Sequence, residues 1–256
     1  MTFVGSETVL CDGIPYRKHV ILADVNIPYK LSIDRNSNNL FFCINADENT
    51  NESFQSVILN LDTGLASIIP GIRNGFASAV NQATGDVYLG GSNGIFKFDY
   101  STSGIVQPPL VGSIDIFDMY FNESLYFVDT STQKLHVYKN NKVYDIEMNG
   151  NIIQHFVIDA LFNLYYVNKL GLFVFQMANE SDPVQLDRND IDIRGAAVDA
   201  NGIPYFIAYD GIYRFDKNKK LLSKVLSVKN GNGLAFDKHN NMIFCEDRAI
   251  VAIFQN

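Results

Sequence analysis

Apolar runs and polar turns alternate along the chain in an order that recurs. An apolar run ends in Asp or Asn, a polar turn follows, and an aromatic-rich apolar run comes next. The stretches are KLSIDRNSNNLFFC from Lys30, ASAVNQATGDVYLG from Ala77, DMYFNESLYFV from Asp118, HFVIDALFNLYYV from His155, GAAVDANGIPYFI from Gly195 and GLAFDKHNNMIFC from Gly233. Their spacing is roughly forty residues, the period of a four-stranded blade. No stretch sustains the 3.6-residue apolar period of an amphipathic helix, so the short runs predict strands. Asp34, Asn81, Asn122, Asp159, Asp199 and Asp237 hold the same place in each copy. Their side chains can accept hydrogen bonds from backbone N–H groups two residues on, which closes a tight turn. A structural role is therefore expected for them, although they are conspicuous polar residues.

The second strand of each copy is short and apolar on both faces: LFFC, VYLG, LYFV, LYYV, PYFI and MIFC. That suits a strand packed between neighbouring sheets. Third strands follow, as in GIFKFD from Gly94, GLFVFQ from Gly171 and GIYRFD from Gly211, with LHVYKN and SVILNLDT as variants. A fourth strand follows five copies: LASIIPG, IVQPPLVG, KVYDIEM, PVQLDRN and LLSKVLSV. Its prolines and charges suit a sheet edge. The sixth copy has only three strands. PYRKHVILADV, residues 15–25, has strand character and is expected to pair outside AIVAIFQN as the missing fourth. The expected architecture is all-β: a six-bladed β-propeller of four-stranded blades, one domain over residues 1–256, closed by the N-terminal strand in blade six. A seven-bladed ring would leave too few residues per blade.

Charge and composition narrow the functions. The net charge of -8 argues against nucleic acid and against an anionic membrane surface. No apolar stretch approaches the roughly 20 residues of a membrane helix. The start, MTFVGSETVLCDG, lacks the basic and apolar regions of a signal peptide. Sequons at Asn51, Asn122 and Asn179 nevertheless favour a secreted glycoprotein, so the expectation is an extracellular chain in mature form. Cys11, Cys43 and Cys245 fit either one disulfide plus a free thiol or three buried thiols, with Cys11 the candidate partner for either of the others. No C-x-x-C pair points to zinc or redox chemistry.

In a propeller, the loops entering first strands and those joining second to third strands open on one face around the channel. The first set contains Tyr29, Arg73, Asn74, Phe117, Asp118, His155, Phe156, Arg194 and Asn232; the second includes Tyr209 and Glu246. Aromatic surface with a few oriented polar groups is typical of a small-molecule site. No G-x-S-x-G accompanies the histidines, and the Gly-rich GGSNGIFKF leads into a strand rather than a helix. His136 falls in a strand and His239 in a polar turn, where structural or solvent roles are expected.

GNGLAFDKHNNMIFCED and IRGAAVDANGIPYFIAYDGIYRFD resemble the repeats of the senescence-marker-protein/gluconolactonase group of six-bladed propellers. That resemblance implies a divalent metal on the axis, held by a Glu in a Glu-Gly-Pro stretch together with Asn and Asp, and a lactonase or esterase activity. Asn232 matches the metal-binding Asn. The Glu is missing, since VNIPYKL places Asn26 and Pro28 there. No metal is therefore expected, and the metal-dependent lactonase or esterase stands as the alternative function. A propeller that binds other proteins is a third reading, and it requires a broad exposed apolar patch.

The whole chain also resembles the ommochrome-binding proteins of moth haemolymph, in its length, its NNLFF and NNMIF repeats and its Phe/Tyr-rich, Trp-free composition. This resemblance implies a secreted, non-enzymatic and monomeric carrier without a cofactor. Its ligand would be an ommochrome such as xanthommatin, a flat phenoxazinone pigment with carboxylate groups. Arg73 and Arg194 would then pair with carboxylates. Tyr29, Phe117, Phe156 and Tyr209 would cover the rings, and Asn74, Asn232 and His155 would hydrogen-bond ring atoms. The implied partner is a small aromatic ligand, with no nucleic acid and no membrane insertion.

Overall fold

The structure is a computed structural model that describes residues 7–148, 152–178, 182–187, 190–216 and 221–255. It is all-β, with six blades arranged as a β-propeller. The first strands are β1 (Glu7–Cys11) and β2 (Ile14–Leu22). Blade one is β3 (Tyr29–Asp34), β4 (Asn39–Asn45), β5 (Phe54–Asn60) and β6 (Ala66–Ile68). Blade two is β7 (Ala77–Asn81), β8 (Asp86–Gly91) and β9 (Gly94–Asp99), with an outer edge split into β10 (Gly104–Ile105) and β11 (Val111–Gly112). Blade three is β12 (Ile116–Asn122), β13 (Ser124–Asp129), β14 (Leu135–Lys139) and β15 (Lys142–Asp145).

Blade four is β16 (His155–Ile158), β17 (Asn163–Asn168), β18 (Gly171–Gln176) and β19 (Val184–Asp187). Blade five is β20 (Ile193–Val198), β21 (Pro204–Ala208), β22 (Gly211–Asp216) and β23 (Leu221–Ser227). Blade six is β24 (Gly231–Phe236), β25 (Met242–Glu246) and β26 (Ala249–Gln255), completed by β2 and then β1. Two compact units divide the chain: Pro28–Gln154 holds blades one to three, and Met1–Ile27 with His155–Asn256 holds blades four to six.

The sixth blade is completed as its sequence suggests, with a correction at both ends. β2 pairs antiparallel with β26, from Tyr16 opposite Gln255 to Leu22 opposite Ile250. The strand starts at Ile14 and stops at Leu22, before the expected Val25, because Asp24 turns left-handed at φ 56°. The Val25 N–H still reaches the Arg248 carbonyl at 2.8 Å. Beyond the expectation, β1 adds a fifth strand through the Asp12-Gly13 turn, where both residues have positive φ (51° and 79°). That is the geometry of a type I′ hairpin, which Asp-Gly favours. Asp12 then ties the hairpin to blade five: its N–H donates to the Val225 carbonyl at 2.7 Å, and its carboxylate pairs with Arg214 at 2.9 Å.

Apolar side chains from facing sheets fill the space between blades, which is why the second strands are apolar on both faces. In the first unit, Phe41 packs with Val87, Leu89, Phe96 and Phe98, and Ala77 and Ile95 with Ile116, Met119 and Phe127. In the second, Ile207, Ile212 and Leu226 pack with Phe244 and Val251, and Cys11 of β1 joins them. All three cysteines are buried free thiols. Cys11 therefore pairs with neither of the others, and burial pushes its thiol up to about 11, with Asp12 adding to the rise. Burial likewise raises Cys43 far above the ordinary thiol range.

The recurring turn residues are structural. Asp34, Asn81, Asp159, Asp199 and Asp237 each accept a hydrogen bond from the N–H two residues on, at 2.8–3.0 Å. Asn122 differs because its hairpin is tighter, turning on Glu123 alone at φ 54°. Two of the turns also latch neighbouring blades: Tyr100 of blade two donates to Asp34 at 2.7 Å, and Asn240 of blade six donates to Asp199 at 3.2 Å. Buried Asp237 takes N–H groups from both His239 and Asn241 at 2.8 Å. Asp237→Ala should cost about 1–3 kcal/mol in a urea melt, because it strands those donors. Ligand binding, measured by tyrosine quenching, should stay unchanged.

Candidate functional site

In four of the six blades, a β-bulge interrupts the first strand near its start. The register slips between Tyr29 and Ser32 in β3, Ile116 and Asp118 in β12, Ile193 and Gly195 in β20, and Asn232 and Leu234 in β24. A bulge inserts one extra residue and re-aims side chains. Here the extra residues are Phe117, Arg194 and Gly233, and in β3 the slip spans Lys30, whose φ is 52°. Gly233 at φ 54° is the glycine version of the same kink.

In the unit holding blades one to three, these bulges accompany an aromatic cluster. Phe76 stacks on Phe117 at 5.7 Å between centroids with planes 28° apart, and Phe54 lies 4.6 Å from Phe76. Tyr29 stands 6.3 Å from Phe54 and 6.2 Å from Phe76. All four rings are half-buried, so each keeps part of its surface exposed. The Lys30 ammonium lies 4.9 Å from the Phe117 centroid and 5.8 Å from that of Phe76. It pairs with Asp118 at 2.7 Å, and the two side chains are only 10% and 12% exposed. Asp118 also accepts the Met119 N–H at 3.0 Å. Arg73 and Asn74 belong to the same unit. The Arg73 side chain is exposed and makes no ion pair among the described residues. Asn74 pins its loop, accepting from the Ser53 N–H at 2.7 Å and donating to Ser92 at 3.2 Å.

In the unit holding blades four to six, Arg194 lies 4.9 Å from the centroid of the Tyr209 ring and pairs with Asp192 at 2.7 Å. Tyr209 is 49% exposed, so this pair faces solvent. Asn232 is half-buried opposite Cys245. His155 is half-buried at the start of β16, whereas Phe156 is 4% exposed. Glu246 is engaged by structure: Lys18 of β2 pairs with it, and the Lys229 N–H donates to it at 3.0 Å. The sequence reasoning missed Lys30, Phe54 and Phe76. Phe76 could have been found, because it directly precedes β7, the first strand of its blade.

The remaining polar clusters are structural. His136 bridges Asp129 and Asp145, at 2.9 Å to each. Burial pushes the Asp129 carboxyl up, but hydrogen bonds from Ser131, Thr132 and His136 outweigh it and hold the group well below the usual carboxylate range. Among the described residues, no three His, Cys, Asp or Glu side chains converge as metal ligands. In the unit holding blades four to six, Asn26 and Asn232 supply amides rather than carboxylates. In the other unit, the Asp118 carboxylate is held by Lys30. Neither fits a divalent cation, which needs several oxygen ligands including carboxylates. Of the sequons, Asn51 is exposed, Asn122 is half-buried at the end of β12, and Asn179 lies outside the described residues. No helix among the described residues is long and apolar enough to cross a membrane.

No protein-family profile matches the chain. Among solved structures, it is similar to a gluconolactonase from Xanthomonas campestris, with a TM-score of 0.75 at 10% identity over 99% of this chain and 97% of that one. A calcium-binding regucalcin from Agrobacterium tumefaciens gives a TM-score of 0.70 at 11% identity, over 91% and 92% of the two chains. These likenesses are of fold alone. In sequence, the chain is similar to the ommochrome-binding protein of Manduca sexta, at 28% identity over 253 residues, covering 96% of this chain and 90% of the relative.

Proposed function

We propose that this protein is a secreted, non-enzymatic carrier of a flat aromatic pigment of the ommochrome type. The observation that carries this reading is the 28% identity to an ommochrome-binding protein along nearly the whole chain. The half-buried cluster of Tyr29, Phe54, Phe76 and Phe117 supports it, since it supplies partly exposed aromatic surface beside polar groups. Each well-placed ring pair adds roughly 0.5–1.5 kcal/mol beyond area burial. Exposed Arg73, in the same unit as that cluster, provides a guanidinium group for a ligand carboxylate. An oxidising compartment is compatible with the three free cysteines, because burial shields their thiols. Among the described residues, no group of His, Cys, Asp or Glu supports the metal-dependent lactonase alternative.

Titration decides the matter. Xanthommatin at micromolar concentration should quench the tyrosine fluorescence of this Trp-free chain to saturation with a single site. A flat titration, or metal-stimulated turnover of a lactone panel, would reject the carrier reading.

A further inference from the structure

Resting on the carrier reading, the inference concerns how the ligand is recognised. Lys30 and Asp118 come from the first strands of blades one and three, and each stands at a bulge. The Lys30 ammonium also lies near two of the cluster's rings. An ion pair so little exposed is costly to desolvate, and apolar residues in its place are often no less stable. Its position among half-buried rings gives it a second use. A lone anion would meet the Asp118 charge, and a lone cation would meet that of Lys30. As a pair they present one donor group and one acceptor group side by side with little net charge.

We propose that Lys30 and Asp118 read the edge of a planar conjugated ring system. The ammonium donates to a ring carbonyl or ring nitrogen, and the carboxylate accepts from a neighbouring N–H or O–H. Phe76 and Phe117 cover the face of the ring. The ligand class is thus a fused heteroaromatic with adjacent acceptor and donor atoms on one edge. Any carboxylates it carries are left to Arg73 of the same unit.

The test uses the full chain, with xanthommatin as probe and tyrosine quenching as readout. Lys30→Met/Asp118→Asn removes both charges and keeps an acceptor for the Met119 N–H. With its thermal melt still cooperative, this variant should bind at least tenfold more weakly than the wild type. Affinity within twofold of the wild type in the folded variant overturns the inference and leaves the carrier reading standing. Failure of the wild type to bind overturns both. If the Lys30→Met/Asp118→Asn variant does not fold, the apolar pair Lys30→Met/Asp118→Leu, the kind of replacement a buried ion pair tolerates best, decides by the same thresholds.

Discussion

Removing residues 1–25 should abolish cooperative folding of the unit that holds blades four to six. The deletion takes away β2, whose register with β26 runs over Tyr16, Arg17, Lys18, His19, Val20 and Leu22. At a net ~1 kcal/mol per backbone hydrogen bond, losing that ladder alone costs about 5 kcal/mol, close to the whole stability of a small domain. Cys11 leaves the apolar core between blades five and six, and Glu246 loses Lys18. The edge of β26 is then open to pairing with other chains, so aggregation should follow. A shorter deletion, residues 1–12, removes β1 and the Asp12–Arg214 pair but leaves the β2 ladder intact. It should melt cooperatively at a lower temperature. Circular dichroism melts of the two truncations make the comparison. A 1–25 deletion that melts like the full chain would show that the N-terminal strand does not hold the last blade together.

The fold was readable because its signals are local and repeated. The Asp or Asn that closes each turn and the aromatic run after it mark the first two strands of every blade. The absence of a fourth strand after AIVAIFQN pointed to the N-terminus. The hairpin partner β1 was missed although Asp12-Gly13 marks its turn. The site was less legible, because its geometry depends on bulges and bulges leave little trace in apolar patterning. Phe117 and Arg194 were picked out as entry residues, and the structure shows them to be the extra residues of two bulges. Nothing in the local pattern singles out Lys30, and only the fold brings it to Asp118. Glu246, by contrast, reads in sequence as part of a loop suited to ligand contact, but it ends β25 and the closing strand engages it through Lys18. That contact joins residues too far apart in sequence for any local pattern to reveal.

Replacing Lys30 alone should be among the most damaging point substitutions in the chain. Lys30→Met leaves the Asp118 carboxylate 12% exposed and without the ammonium 2.7 Å away. Breaking a buried pair from one side typically costs about 3–5 kcal/mol, which for a domain of this size lowers Tm by roughly 6–20 °C. The loss should be pH-dependent, with a definite sign. With the ammonium gone, burial disfavours the charged carboxylate in the folded chain, so the penalty is largest at neutral pH. It fades as the pH falls toward and below the ordinary Asp value of about 3.9. Adding Asp118→Asn to the Lys30→Met background should restore most of the lost stability at pH 7, since it removes the buried negative charge. Melts of the wild type and both variants at pH 7 and pH 4.5 test this. Equal melting temperatures for the single and double variants would sink the account. Recovery in the double variant would show that stability does not require the ion pair, and any weakening of xanthommatin binding in that same folded protein would then belong to recognition.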